Sequence, residues 1–329
     1  MLNVTNMYPI ERQMYYGVFV HEHVEALRRR EIDVDVFFTN PREGRARYVL
    51  DLPRLVSTVR RGRYDVLHAH HTYSVFQVTL SRSLLRLSTP VMFTFHEGEA
   101  HLPSGVKDAS ADAVKRLVYW NALKRRALQL SDCVVSVEPR LPLAVGYTGA
   151  YAVIPPAVDI ELFRPMDREE CRRTLGLPSE GRILFFPGSP SRPEKGVDLF
   201  RASLALITTP VRVVVGGMIE RRDMPLHMNA ADVIVHPSSF EASPIAVKEA
   251  MACNTPVVST DVGDVRTLFG DTPGCFCTRD DARSVAQSIE EALRFEGLTH
   301  ARERILDLSH DSISSRYVDL YHRVAQGES

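Results

Sequence analysis

The chain has 329 residues, long for one domain and comfortable for two. With 44% hydrophobic and 25% charged residues, and no apolar run near the roughly 20 residues that cross a bilayer, a globular polypeptide is expected rather than a disordered or membrane-spanning one. A net charge of −1 gives no basic surplus for a nucleic-acid partner, and five scattered cysteines without a Cys-x-x-Cys pair predict neither a disulfide framework nor a structural zinc site.

The opening Met1-Leu-Asn-Val-Thr-Asn-Met-Tyr-Pro has no basic n-region and no long apolar h-region, so no signal peptide and a cytoplasmic location are expected. Strands are predicted at 2–5, 34–39, 65–69, 90–95 and 133–137, with helices at 18–30, 74–87 and 111–130 between them. Strands that are apolar on both faces and separated by helices imply a parallel sheet of βαβ units. Near Val153-Ile-Pro-Pro156 the alternation pauses, and Phe163-Arg-Pro165, a short helix at 168–175 and Leu177-Pro178 follow. It restarts with strands at 183–186, 212–215, 232–236, 256–259 and 274–277 and helices at 197–206, 244–252 and 282–293. A boundary near residue 160 therefore gives two Rossmann-like domains, 1–160 and 161–329, each with its ligand side at the carboxyl ends of its strands. The last helix, at 312–324, is amphipathic and late enough to cross back onto the first domain.

The most informative stretch is 231–266. A buried strand ends at His236, a polar loop runs from Pro237 to Ser243, and a helix is predicted to begin at Pro244, which has no N–H to lose at the first helical position. Ser243 is the expected N-cap. The N–H groups at this helix start, around Ser243, Pro244 and Ile245, form an anion site that a diphosphate fits. Glu241 lies in the loop before the helix and Glu249 lies over one turn inside it. Two glutamates eight apart mean nothing alone; the context of Phe-Glu, Ser-Pro, Lys-Glu-Ala-Met-Ala, Thr-Pro-Val-Val-Ser and Val-Gly gives them weight.

That context resembles the Glu-x7-Glu segment of family 4 glycosyltransferases. The resemblance implies a GT-B fold, with two Rossmann-like domains whose parallel sheets face across a cleft. It implies an N-terminal domain on the acceptor side and a C-terminal domain that binds the donor. It further implies retaining transfer of a sugar from a nucleotide-diphosphate donor to a hydroxyl of a glycan, lipid-linked or small-molecule acceptor, with no metal ion or other cofactor. Glu241 is then expected at the donor sugar and Glu249 at the ribose. Residues 186–196, Phe-Pro-Gly-Ser-Pro-Ser-Arg-Pro-Glu-Lys-Gly, resemble the family's basic strand-end loop, whose Arg192 and Lys195 suit phosphate oxygens. Thr5-Asn-Met-Tyr-Pro with Gly17 resembles the first strand and its glycine loop, where Gly17 lets backbone approach the phosphates. His68-Ala-His-His71 and Thr94-Phe-His-Glu97 resemble two further strand ends. His96 is expected in the cleft with a proton-handling role, and His70, His71 and Glu97 on the acceptor side.

The sequence departs from the family at four places, the first being that Arg192 sits nearer Lys195 than in common members. The usual Asn-Gly turn at the domain junction is replaced within Ile154-Pro-Pro-Ala-Val-Asp159. Glu97 follows His96 where glycine is usual. The segment between Gly217 and Ala230 lacks a strand–loop unit that often contacts the base. His21, His23 and the 68–71 histidines lack the His-Glu-x-x-His or carboxylate spacing of a metal site, so no metal is expected. Residues 1–160 carry a balance of +4 and the remainder −5; Arg28-Arg-Arg30, Arg60-Arg-Gly-Arg63 and Lys124-Arg-Arg126 raise the expectation of a weak peripheral contact with the inner membrane face. The alternatives to a transferase are a nucleotide-sugar epimerase and a non-catalytic nucleotide-sugar binder of the same fold.

Overall fold

The structure, a computed structural model, describes residues 1–10, 16–96, 111–297 and 299–327, with the backbone alone over 111–119. Glu97 lies outside the described residues. The chain divides into two compact units: Met1–Pro156 with His310–Ser329, and Ala157–Ser309.

Unit 1 holds six parallel strands: β1 (Leu2–Thr5), β2 (Asp35–Phe38), β3 (Leu67–His70), β4 (Val91–Phe95), β5 (Cys133–Ser136) and β6 (Ala152–Val153). Their order is β2-β1-β3-β4-β5-β6. The central strands β1, β3 and β4 are buried along their whole length, with Asn3, Thr5, His68, His70 and Thr94 as buried polar residues among the apolar ones. The strand predicted at 65–69 is shifted, so His70 is its last residue rather than part of the following loop. The His310–Ala325 helix belongs to this unit and buries Ile313, Tyr317, Leu320, Tyr321 and Val324.

Unit 2 holds β7 (Arg182–Phe186), β8 (Val211–Val215), β9 (Val233–His236), β10 (Val257–Thr260) and β11 (Cys275–Thr278), all parallel, in the order β11-β10-β9-β7-β8. Alternation along β7 separates two cores. Ile183 and Phe185 pack with Val247, Met251 and Phe269, while Leu184 and Phe186 pack with Phe200, Val285 and Ile289. The Ile245–Ala252 helix therefore covers one face and the Val197–Leu204 and Ala282–Arg294 helices serve the other core. The two chain crossings meet at a parallel bridge between Val158 and Ser309, where Val158 N–H donates to Leu308 O at 2.9 Å.

Candidate active site

In unit 2 the loop after β9 meets the loop after β7. Gly196 has φ +76°, and a Cβ there would lie 1.8 Å from Pro237 O, so only glycine permits this approach. Ser239 N–H donates to Glu194 O at 3.0 Å across the same junction. The contact brings Lys195 to Glu241: Nζ lies 2.5 Å from Oε1. Ser238 Oγ also donates to Glu241 Oε1 at 3.2 Å, and His236 Nε2 is 3.4 Å from that oxygen. Burial alone would raise the Glu241 pKa, but the hydrogen bond from His236 and the charge of Lys195 hold it down to about 2. Glu241 is thus a fixed anion. Arg192, the other basic residue expected here, is exposed and paired with Glu194 at 2.6 Å.

The helix start differs from expectation by one residue. Pro244 has extended backbone and is the N-cap, and Ile245 is the first helical residue. Ser243 does not cap: its Oγ donates to Asp264 Oδ2 at 2.5 Å and accepts from Lys248 Nζ at 2.7 Å. Asp264 competes for the hydroxyl because the loop after β10 is folded against Ala242. No side chain among the described residues therefore caps the first N–H groups of this helix. Lys248 is completely buried beside Ser243, and burial lowers its pKa to about 8.

Glu249, in the second turn, is also buried, and its Oε1 accepts from Arg221 Nη1 at 2.7 Å. Arg221 comes from the shortened segment after β8, and its guanidinium lies over the Phe163 ring, 5.2 Å from the centroid. Sequence reasoning missed Arg221, Lys248, Asp264, His236 and Ser238. The only available signal was Lys248 itself, a charge on a helix otherwise made of Ile, Ala, Val, Glu and Met.

In unit 1, Gly17 has φ +74° and precedes the Val18–Arg29 helix. A Cβ there would stand 2.3 Å from the Met7 carbonyl carbon, so its glycine serves the unit's own packing. The histidines form a network. His68 bonds Tyr321 Oη and Thr94 Oγ1, each at 2.7 Å. His70 Nδ1 lies 2.9 Å from His96 Nε2, and Asn3 Nδ2 donates to His70 Nε2 at 3.0 Å. Burial, together with the neighbouring histidines, keeps His70 and His96 well below the ordinary imidazole pKa, so both rings are neutral.

His70 and His71 are buried. His23, His68 and His70 bring ring nitrogens within 4.8 Å of one another, a juxtaposition that sequence spacing does not reveal. Both nitrogens of His68 and of His70 already have hydrogen-bond partners, and burial lowers the His23 pKa to about 3. Among the basic clusters, Arg28 pairs with Glu25, Arg30 donates to Ser314 Oγ and Asp311 O, and Lys124 is buried, so these three residues serve unit 1 itself. All five cysteines are free, and no helix of the described residues is long and apolar enough to cross a membrane.

Residues 16–162 match the family model described as Glycosyltransferase Family 4, and residues 208–294 match that described as Glycosyl transferases group 1. A Bacillus subtilis protein named as a teichuronic acid biosynthesis glycosyltransferase, TuaC, is 24% identical over 95% of this chain and 93% of its own length. The D-inositol 3-phosphate glycosyltransferase of Mycobacterium marinum is 25% identical over 71% of this chain, which spans 56% of that protein. Among solved structures, sucrose-phosphate synthase from Thermosynechococcus elongatus superposes with a TM-score of 0.82 at 20% identity, covering 99% of both chains. Anabaena HepE in complex with UDP-glucose gives 0.67 at 16% identity, covering 99% and 98%. The structural likenesses speak for the fold, and the sequence matches for the family.

Proposed function

The chain belongs to the family 4-like glycosyltransferases of GT-B fold, and we propose that it moves a sugar from a nucleoside-diphosphate donor to an acceptor hydroxyl with retention and without a metal ion, on the unit 2 residues described above. The observation that carries this reading is the Lys195–Glu241 pair, set beside a helix start that no side chain caps.

As the bond to phosphate breaks, negative charge grows on the diphosphate and positive character on the sugar ring. Lys195, Arg192 and the N–H groups at Ile245 oppose the first charge. Glu241, held ionised, opposes the second and accepts hydrogen bonds from sugar hydroxyls. Glu249 accepts from the ribose. The departing phosphate helps to take the acceptor proton, and His96 keeps the proton-handling role that the family resemblance implies. The acceptor is a glycan, lipid-linked or small-molecule hydroxyl. Arg29, Arg60, Arg61 and Arg63 are exposed and support a weak contact with anionic lipid at the cytoplasmic membrane face.

Incubation with UDP-, GDP- and ADP-sugars in excess EDTA tests the reading. Nucleoside diphosphate should be released from one of them, slowly without acceptor and faster with it. Binding without release would make the protein a non-catalytic binder, and an isomerised sugar nucleotide would make it an epimerase. Loss of turnover in EDTA, restored by Mn²⁺, would overturn metal independence.

A further inference from the structure

We infer that Arg221 is the positioning residue for Glu249 and thereby the source of ribose selectivity in donor recognition. This rests on the nucleotide-sugar reading given above. Glu249 projects from the Ile245–Ala252 helix with 6% of its side chain exposed. A carboxylate so enclosed requires a cation with fixed geometry. Arg221 provides it, with Nη1 2.7 Å from Oε1. The guanidinium is itself located by the ring of Phe163, 5.2 Å away. Phe163 is fully buried, and its carbonyl accepts from Arg302 Nη1 at 2.7 Å, so the surface beneath the guanidinium is fixed.

Arg221 has 24% of its side chain in solvent, so the pair is open on the arginine side. A carboxylate beside a guanidinium offers both acceptors and donors, and each hydroxyl of a vicinal diol is both a donor and an acceptor. The pair is therefore complementary to the 2′- and 3′-hydroxyls of a ribose. Arg221 belongs to the segment between Gly217 and Ala230, which is too short for a further strand. In this chain the segment contributes a side chain that orients Glu249.

The test compares binding of UDP, ADP and GDP with that of their 2′,3′-dideoxy analogues to the full chain, by calorimetry, for wild type, Arg221→Lys, Arg221→Ala and Glu249→Gln. In the wild type the ribonucleotide should bind at least tenfold tighter than its dideoxy analogue. Arg221→Ala should weaken the ribonucleotide about tenfold and leave the analogue unchanged. Arg221→Lys, which keeps the charge but not the planar fork, should restore part of the difference. The double variant with Glu249→Gln should be no weaker than the worse single variant. In turnover, donor KM should rise more than kcat falls.

Equal weakening of both nucleotides by Arg221→Ala would overturn the inference, because Arg221 would then act on the base or the diphosphate. Full retention of ribose selectivity in Arg221→Ala would overturn it too. A wild type that binds none of the three nucleotides would instead remove the nucleotide-sugar reading on which the inference depends.

Discussion

Glu241 and Glu249 lie on one short segment, yet their surroundings assign them different work. Glu241 is gripped by Lys195 and Ser238, and Glu249 by Arg221. Glu241→Gln should lower kcat more than it raises donor KM, because its charge matters most as the sugar ring becomes positive. Glu249→Gln should raise KM by about 10- to 150-fold, the equivalent of a lost charged hydrogen bond, with a smaller change in kcat. Steady-state kinetics at saturating acceptor separates the two, and equal splits would show the roles are not distinct. The depressed Glu241 pKa also has a sign for stability: its contribution is complete above pH 4.5 and is lost as pH falls towards 2. Glu241→Gln should therefore flatten the acid limb of a stability–pH curve over that window. Both glutamates were legible in the sequence because their flanking residues form a continuous pattern. Lys195 was legible too, but its pairing with Glu241 was not, and Arg221 was missed altogether, since Lys195 stands 46 residues from Glu241 and Arg221 stands 28 from Glu249, and only the fold brings them together.

Among the elements, β9 shows what hydrophobic pattern reveals and what it hides. Its four buried residues mark a strand plainly, but the carboxylate just before it governs its surroundings. Asp232 is buried, accepts from Ile183 N–H at 2.7 Å and pairs with Arg172 at 2.7 Å, Arg168 at 3.0 Å and Arg182 at 3.2 Å. Arg172 also donates to the carbonyls of Ala230, Ser179 and Gly181. Asp232→Ala would leave Arg172 buried without its anion and should destabilise unit 2 by about 3–5 kcal/mol, whereas Arg182→Lys, at an exposed partner, should cost less than about 1 kcal/mol. Urea unfolding followed within unit 2 measures both; similar small losses would mean the arginines compensate one another. The Leu52–Gly62 helix escaped the sequence reading for a related reason. Its buried Leu55 and Val59 make a narrow stripe among Pro53, Arg54, Arg60 and Arg61, so charge outweighs periodicity. The predicted ends of strands and helices drifted by a residue or two because caps depend on partners such as Asp264, which lies outside the helix it affects.

At the scale of the molecule, the alternation of apolar strands and helices made two parallel sheets legible, while the network that anchors the last helix was not. Tyr321 bonds His68, and Tyr317 lies 3.2 Å from Thr94 Oγ1. A chain ending at Ser309 should lose these contacts and the apolar face of the His310–Ala325 helix. Limited proteolysis should then cut within residues 1–156 and spare a fragment near 157–309. Equal resistance of both segments in the shortened chain would show that the helix is dispensable. The bridge between Val158 and Ser309 closes unit 2 on itself, while unit 1 takes its final helix from beyond that closure. During synthesis, therefore, the half made first is finished last. Unit 2 can complete its sheet as soon as Ser309 clears the ribosome. The first 156 residues must wait until Tyr317 and Tyr321 emerge as well, and until then the His68 network stays open.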